Sequence, residues 1–377
     1  MSSPSGLAAV PPLPAELPQS RGREKSPAGE RYLALDAYRG FIMMLLVSWG
    51  LGFGPLRNHP VYGGIATQFE HVPWEGAVFW DLVMPAFTFM VGVAMPFALA
   101  RRAQLGATFG QNFQHVALRA FKLLVLSQVL SSVSAGHIQI QFVNVLTQIA
   151  FGYFLCFLIM QLRFRWQVLV AAMILAGHWA LFVIFPGPDG AYSKENNIAA
   201  VIDRAVMGYN YKGYYANLNF VTNTVTILFG VWTAYLLRGT RPQGRKMTIL
   251  FAAALAAIAA GLAISPFNPI VKRIWTSSFT LYSAGWVLLM MLAFYWLIEV
   301  KGYRRWTFPL VVVGTNCVFL YSFNSLLGGW VRRSLAVFTG NFTFLGDLGA
   351  VAHACASLLV LWYLCYWLYQ RKIFFKL

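Results

Sequence analysis

The span 247–265 carries no charged side chain, and its centre, residues 251–262, reads FAAALAAIAAGL. Runs of this kind recur along the chain. A bilayer's hydrocarbon core needs about 20 apolar residues per helix, and backbone polar groups in lipid must be satisfied within the segment. Ten candidate spans meet that demand, roughly 35–53, 77–99, 116–133, 142–161, 166–185, 218–237, 247–265, 275–298, 308–327 and 348–369. The short alternating segments that build membrane β-barrels are absent. Hydrophobic residues make up 58% of the sequence and charged ones 11%, against about 25% charged in soluble domains. The fold class expected is an all-α integral membrane protein, with about ten transmembrane helices in one bundle. The span at 116–133 is the weakest, because Arg119 and Lys122 fall in its first turns.

A formal net charge of +17 raises the question of a nucleic-acid partner, and its distribution answers it. With the N-terminus inside, only Arg57, Lys194, Arg204, Lys212, Lys272, Arg273, Arg332 and Arg333 fall outside, and the other 21 of the 29 basic residues fall inside. That split is what the positive-inside rule expects for an even number of spans with both termini cytoplasmic. No nucleic acid is expected. Cys156, Cys317, Cys355 and Cys365 all lie in apolar spans without a CxxC pair, and read as small core hydrophobes.

Residues 1–30, rich in Pro, Ser and Gly, read as a disordered cytoplasmic tail, and 31–377 as a single membrane domain. The longest loop, 186–217, falls outside and contains IAAVIDRAVMG, an amphipathic turn or two for the membrane face. No soluble catalytic domain is visible, so any chemistry belongs to the bundle or its mouths.

Ionisable groups within spans usually face the bundle interior. Asp36 and Arg39 share a helix face at the inner end of the first span. They read as a salt bridge at the membrane edge, or as a guanidinium open to a phosphate from the cytoplasm. The stretch FEHVPWEGAVFWDLVMPAF crowds Glu70, His71, Glu75 and Asp81 where lipid is about to begin. Asp81 reads as a helix cap, a partner for an outer-loop base, or a site residue. His71 stands out as a base or nucleophile that is mostly neutral at pH 7, with Glu70 and Glu75 placed to orient its ring. His59, His115, His137, His178 and His353 carry no such company. No HxxxH or HExxH spacing exists, so no metal is expected. Gly92, Ala94 and Ala98 allow close helix approach in the second span.

In their order along the chain, LDAYRG at 35–40, HVPWEG, DLVMPAFTFMVG, VIDRAVMG, NPIVKRIWTSSF, GTNCVFLY and the closing RKIFFKL resemble the membrane family of heparan-α-glucosaminide N-acetyltransferase and its bacterial relatives. The resemblance implies acetyl transfer from cytoplasmic acetyl-CoA, as co-substrate, to an amino sugar on the far side. It implies that His71, in the H-x-x-W motif, is the active histidine; Asp81, in the D-L-V-x-P motif, is the second catalytic candidate. Candidates for holding the CoA phosphates at the inner rim are Arg39, Arg119, Lys122, Arg371 and Lys372. Trp74 and Asn316 are candidate oxyanion donors, and Asp203, Arg204, Lys272 and Trp275 candidate acceptor contacts. Three places depart from the family pattern: Gly50, with Ser48 nearby, where the family often has Asn; Thr147-Gln148 where it has Gln-Arg; and Asn324 where it has His.

The reading that follows is a transmembrane acyltransferase acting on an amino-sugar, glycan or lipid-linked acceptor outside. A pantetheine arm spans only about half of a core roughly 30 Å thick, so such an enzyme needs a cavity from the inner rim to the outer mouth. The alternative is a transporter or flippase without covalent chemistry, in which inverted repeats and midplane charges are common; no clear repeat is seen. The partners expected are membrane lipids and the outer-face acceptor, with a homodimer left open. A bacterial member would sit in the inner (cytoplasmic) membrane.

Overall fold

The computed structural model describes residues 32–375. Its helices, in chain order, are α1 (Leu33–Val47), a single turn α2 (Gly63–Ala66), α3 (Val83–Gln104), α4 (Phe109–Ala135), α5 (Val145–Ile159), α6 (Phe164–Ile184) and α7 (Ile198–Met207). They continue with α8 (Asn219–Arg238), α9 (Gln243–Ile264), α10 (Ser277–Tyr295), α11 (Phe308–Gly314), α12 (Cys317–Thr339) and α13 (Gly349–Gln370). Among the described residues no strand forms; there are two isolated bridges, Gly76 to Val271 and Gly187 to Gly190. The protein is all-helical. Seven described helical stretches are long and apolar enough to cross a membrane, and the last of them, Cys317–Gln370, is α12 and α13 joined by a turn that breaks at Asn341, Phe342 and Gly346. α5 is apolar but shorter. The tail read at 1–30 lies outside the described residues.

Each expected span falls on a helix, but several ends differ for local reasons. α4 starts at Phe109 rather than near 116, because Thr108 and Gln111 form a reciprocal capping box. Arg119 and Lys122 therefore sit in its third and fourth turns. α1 stops at Val47, short of 53, where Trp49, Gly50, Leu51 and Gly52 all adopt positive φ. Left-handed backbone at non-glycine residues costs of order 1–3 kcal/mol each, so neighbouring structure must hold this turn in place. The expected span 308–327 is two helices, broken between Gly314 and Cys317, and α12 runs on to Thr339. The loop 186–217 contains the ten-residue α7, capped by Asn197 and ended by Gly208 at φ +79. Cys355 is exposed on α13, unlike the three buried cysteines, because it points away from the neighbouring helices.

The main core cluster joins α1, α3, α4, α5, α6, α8, α9, α10, α11, α12 and α13. One of its close crossings is α3 on α8. A Cβ added at Gly92 would lie 1.9 Å from the Ile227 carbonyl oxygen, and one at Gly230 would lie 2.1 Å from that of Phe89. Small residues at such crossings let backbones approach where no hydrophobic effect drives association. Gly92→Val should therefore cost about 3 kcal/mol through backbone displacement, while Gly64→Ala, whose Cβ meets nothing within 4 Å, should be neutral. Thermal unfolding of the two variants in detergent checks this, and equal midpoints would contradict it.

Candidate active site

The bundle has two ends, which we name by Arg39 and by His71. At the His71 end the chain between Phe69 and Phe79 carries no regular helix. It is fastened instead to the segment before α10. Gly76 N–H donates to the Ile270 carbonyl at 2.8 Å, with Gly76 at φ +97, a conformation that side chains resist. Opposite it, a short turn over Lys272–Ile274 ends at Trp275, φ +46, before Thr276 caps α10. Trp275 anchors that turn. Its ring is 1% exposed and edge-on to Phe279, its carbonyl accepts from Thr222 Oγ1 at 2.7 Å, and its indole N–H reaches Thr226 Oγ1 at 3.4 Å.

These two segments bring together three side chains. Asp81, 1% exposed, lies in the turn that leads into α3. Its Oδ1 is 2.7 Å from His71 Nδ1 and 3.4 Å from Lys272 Nζ. Its Oδ2 accepts from the backbone N–H of Val78 at 3.2 Å and faces that of Val72 at 3.5 Å. Lys272 Nζ is also 3.1 Å from His71 Nδ1. A carboxylate surrounded by donors assigns the imidazole proton to Nδ1, and Lys272 then donates to the carboxylate rather than to the ring. The Nε2 lone pair is left free, on a side chain 38% exposed. Burial holds the His71 ring below its ordinary pKa, with Lys272 and Arg273 pushing the same way and the Asp81 bond opposing. The ring is thus a neutral base at pH 7. Burial also brings Lys272 down to about 8, against the pull of Asp81.

Among the residues proposed from sequence, His71, Asp81 and Lys272 meet. The glutamates do not orient the ring: Glu70 pairs with Arg57 at 3.3 Å and Glu75 is exposed. Asp81, ten residues on, takes that place because the 3-10 turn folds it back under the histidine. Trp74 is committed elsewhere, donating its indole N–H to the Tyr192 carbonyl at 2.8 Å. It is not a free oxyanion donor. Asn316 does not join this group either. It sits toward the Arg39 end, where its amide holds the Ile373 carbonyl and the Phe375 N–H, each at 3.0 Å. Trp275 is too buried to touch an acceptor. Asp203 closes its own loop by accepting from Asn217 N–H and Nδ2, each at 3.1 Å. Arg204 donates to the Glu195 carbonyl at 3.1 Å.

At the other end, Arg39 bonds Asp36 at 2.8 Å and the Gly314 carbonyl at 2.9 Å. Asn316, two residues beyond Gly314, grips the segment after α13, so Arg371 and Lys372 come to the same end. Arg371 lies over the Trp367 ring at 4.5 Å. Arg119 stands over Tyr153 at 4.9 Å, and Lys122 is on the exposed face of α4. Sequence reasoning passed over Arg273, whose guanidinium bonds the Gly213 carbonyl at 2.8 Å, faces that of Val72 at 3.5 Å and lies over Tyr215. It splints the long loop to the histidine segment. The Lys-Arg dipeptide at 272–273 was the available signal.

A family profile described as "Heparan-alpha-glucosaminide N-acetyltransferase, catalytic" matches residues 31–193, a stretch that contains His71 and Asp81. The chain is similar to the heparan-α-glucosaminide N-acetyltransferase family. It is 21% identical to heparan-alpha-glucosaminide N-acetyltransferase of Mus musculus over 420 residues, which is 93% of this chain and 61% of the mouse protein. Identity to the Homo sapiens protein of that name is also 21%, over 92% of this chain and 60% of the human one. The chain thus spans about 60% of the length of these relatives. Lys272 lies beyond the stretch matched to the N-acetyltransferase catalytic profile, yet it completes the group that the stretch begins.

Directions follow for the His71 ring. It should titrate below 6.5, lower still in Asp81→Asn, and higher in Lys272→Met. Nitrogen chemical shifts of labelled histidine against pH check all three, and an Asp81→Asn ring that titrates higher would contradict the assignment.

Proposed function

We propose that this chain is a membrane acyltransferase that moves an acetyl group from cytoplasmic acetyl-CoA to an amino-sugar, glycan or lipid-linked acceptor on the far side. The observation that carries the reading is the 2.7 Å contact of His71 Nδ1 with buried Asp81, which leaves Nε2 free and partly exposed inside the stretch matched by the catalytic profile. The names of the relatives supply the transfer of acetyl to a glucosaminide.

In this reading the thioester supplies an activated acetyl group, and the rest is done by the chain. Asp81 accepts the Nδ1 proton and fixes the tautomer. Nε2 either removes a proton from the acceptor amine, which attacks the thioester carbonyl, or attacks that carbonyl itself and passes the acetyl group to the amine in a second step. In both, the C–S bond breaks, CoA leaves as its thiolate, and the proton lost by the amine ends on that thiolate or in solvent. Either way the ring gains positive charge, which the Asp81 carboxylate stabilises as the carboxylate of a Ser-His-Asp triad does. Lys272 keeps Asp81 ionised in a place where burial opposes its charge. Positive charge at the Arg39 end, from Arg39, Arg371 and Lys372, suits the phosphates of the donor. A donor held there must extend its arm through the bundle to reach His71.

His71→Ala should lower acetyl transfer by about 10²–10⁴-fold, the usual worth of general acid–base catalysis, while binding of acetyl-CoA persists. Full turnover by the purified variant would refute the assignment. The pH profile is a second check. Activity should be flat near pH 7 and fall on the acid side below 6.5, as Nε2 takes a proton. It should also fall on the alkaline side near about 8, as Lys272 loses its charge.

A further inference from the structure

Next to the His71 segment, α1, α12 and α13 leave a small crevice. It is lined by Trp49, Asn324 and Arg332, by the buried Ser48 and Ser357, and by apolar side chains that include Val47 and Leu361. The Arg332 guanidinium lies over the Trp49 indole at 5.4 Å, and that indole is 59% exposed. Among the described residues no carboxylate comes within ion-pair distance of Arg332. The nearby acids are engaged elsewhere: Asp347 faces His59 at 3.3 Å and Glu70 faces Arg57 at 3.3 Å. The Asn324 amide likewise has no hydrogen-bond partner among the described residues. Gly328, one turn on, gives it room, since a Cβ there would lie 2.4 Å from Asn324 Oδ1. Ser48 donates its hydroxyl proton to the Leu45 carbonyl at 2.8 Å, so its oxygen remains an acceptor.

An unpaired guanidinium, a free amide and an exposed indole make an anion site with an amphipathic wall. Its surroundings say where the anion comes from. The neighbouring surface of α12 exposes Leu326, Leu327 and Trp330, on a helix apolar enough to cross a membrane. Arg332, two turns before the end of α12, and Trp49, just past the end of α1, are residue types that favour headgroup level, with apolar stems toward the acyl chains. The crevice is coupled to the site by the left-handed turn 49–52. Gly50 packs on the Phe69 carbonyl, the Phe69 ring lies 6.1 Å from Trp80, and Trp80 lies 6.5 Å from His71. Asn324, which departs from the family pattern in sequence, and Ser48, two residues before the departing Gly50, both line this crevice.

We propose that Arg332 and the Asn324 amide, at the mouth of this crevice, bind the phosphate of a membrane-lipid headgroup, and that the acceptor acylated at His71 is presented on such a lipid. The second clause rests on the transferase reading; the first does not.

The test uses the full-length protein in phosphatidylcholine nanodiscs, with spin-labelled phosphatidylglycerol as probe and its immobilised fraction read by EPR. Arg332→Gln should weaken retention about tenfold, the worth of one charge-assisted hydrogen bond. Arg333→Gln, one residue away and exposed, should leave it unchanged. Asn324→Ala should weaken it too, and serves if Arg332→Gln does not fold. Excess glycerol phosphate should not displace the probe. Retention unchanged in both Arg332→Gln and Asn324→Ala, or displacement by the soluble phosphate, would overturn the lipid site. His71→Ala should retain the lipid normally, so failure of the transferase reading shows separately, as transfer persisting in that variant.

Discussion

A carboxylate buried at the rim of an apolar bundle has to be compensated, and Asp81 finds its compensation in residues far apart in sequence. Lys272 is 201 residues from His71, and both reach the same oxygen. Removing one partner of such a buried pair costs about 3–5 kcal/mol. The histidine segment has no regular structure of its own. Its shape depends on Asp81 below it, on the Gly76 bond to Ile270 beside it, and on Arg273, which ties Val72 to Gly213. The same contacts that neutralise a buried charge therefore also hold one imidazole in a defined tautomer.

Much of the architecture was legible because lipid leaves a chain few choices. Long apolar runs such as 251–262 had to be helical, and each is, although 308–327 divides into two helices. What was not legible turned on side-chain hydrogen bonds. The Thr108–Gln111 capping box moved the start of α4 by about two turns, and the end of α1 was set by a left-handed turn that hydropathy does not register. At the site, His71 was visible as an odd residue in its place. Its partner was not: Glu70 and Glu75 are nearer in sequence, but the chain from Gly76 to Leu82 folds back and delivers Asp81. Trp74 and Asn316 were plausible oxyanion donors by type, and Trp275 a plausible acceptor contact. Their polar atoms turned out to be committed to carbonyls and hydroxyls that only the tertiary structure brings near.

In the proposed reading the two ends of the bundle divide the chemistry. Basic residues gather with the closing segment at the Arg39 end, where Asn316 clamps the backbone of Ile373 and Phe375. The neutral imidazole and the anion crevice share the other end, linked by the turn at 49–52. Polar function in an apolar bundle is thus placed at the mouths, where water or headgroups share the cost of the charges.

The central claim is that one group crosses the membrane while its carrier does not. The direct measurement encloses radiolabelled acetyl-CoA inside proteoliposomes and offers glucosamine, a glycan or a lipid-linked amino sugar only outside. Label should appear on an outside acceptor while CoA stays within the lumen, and His71→Ala vesicles should show none. Label that reaches the acceptor only when both substrates are on the same side would contradict the account.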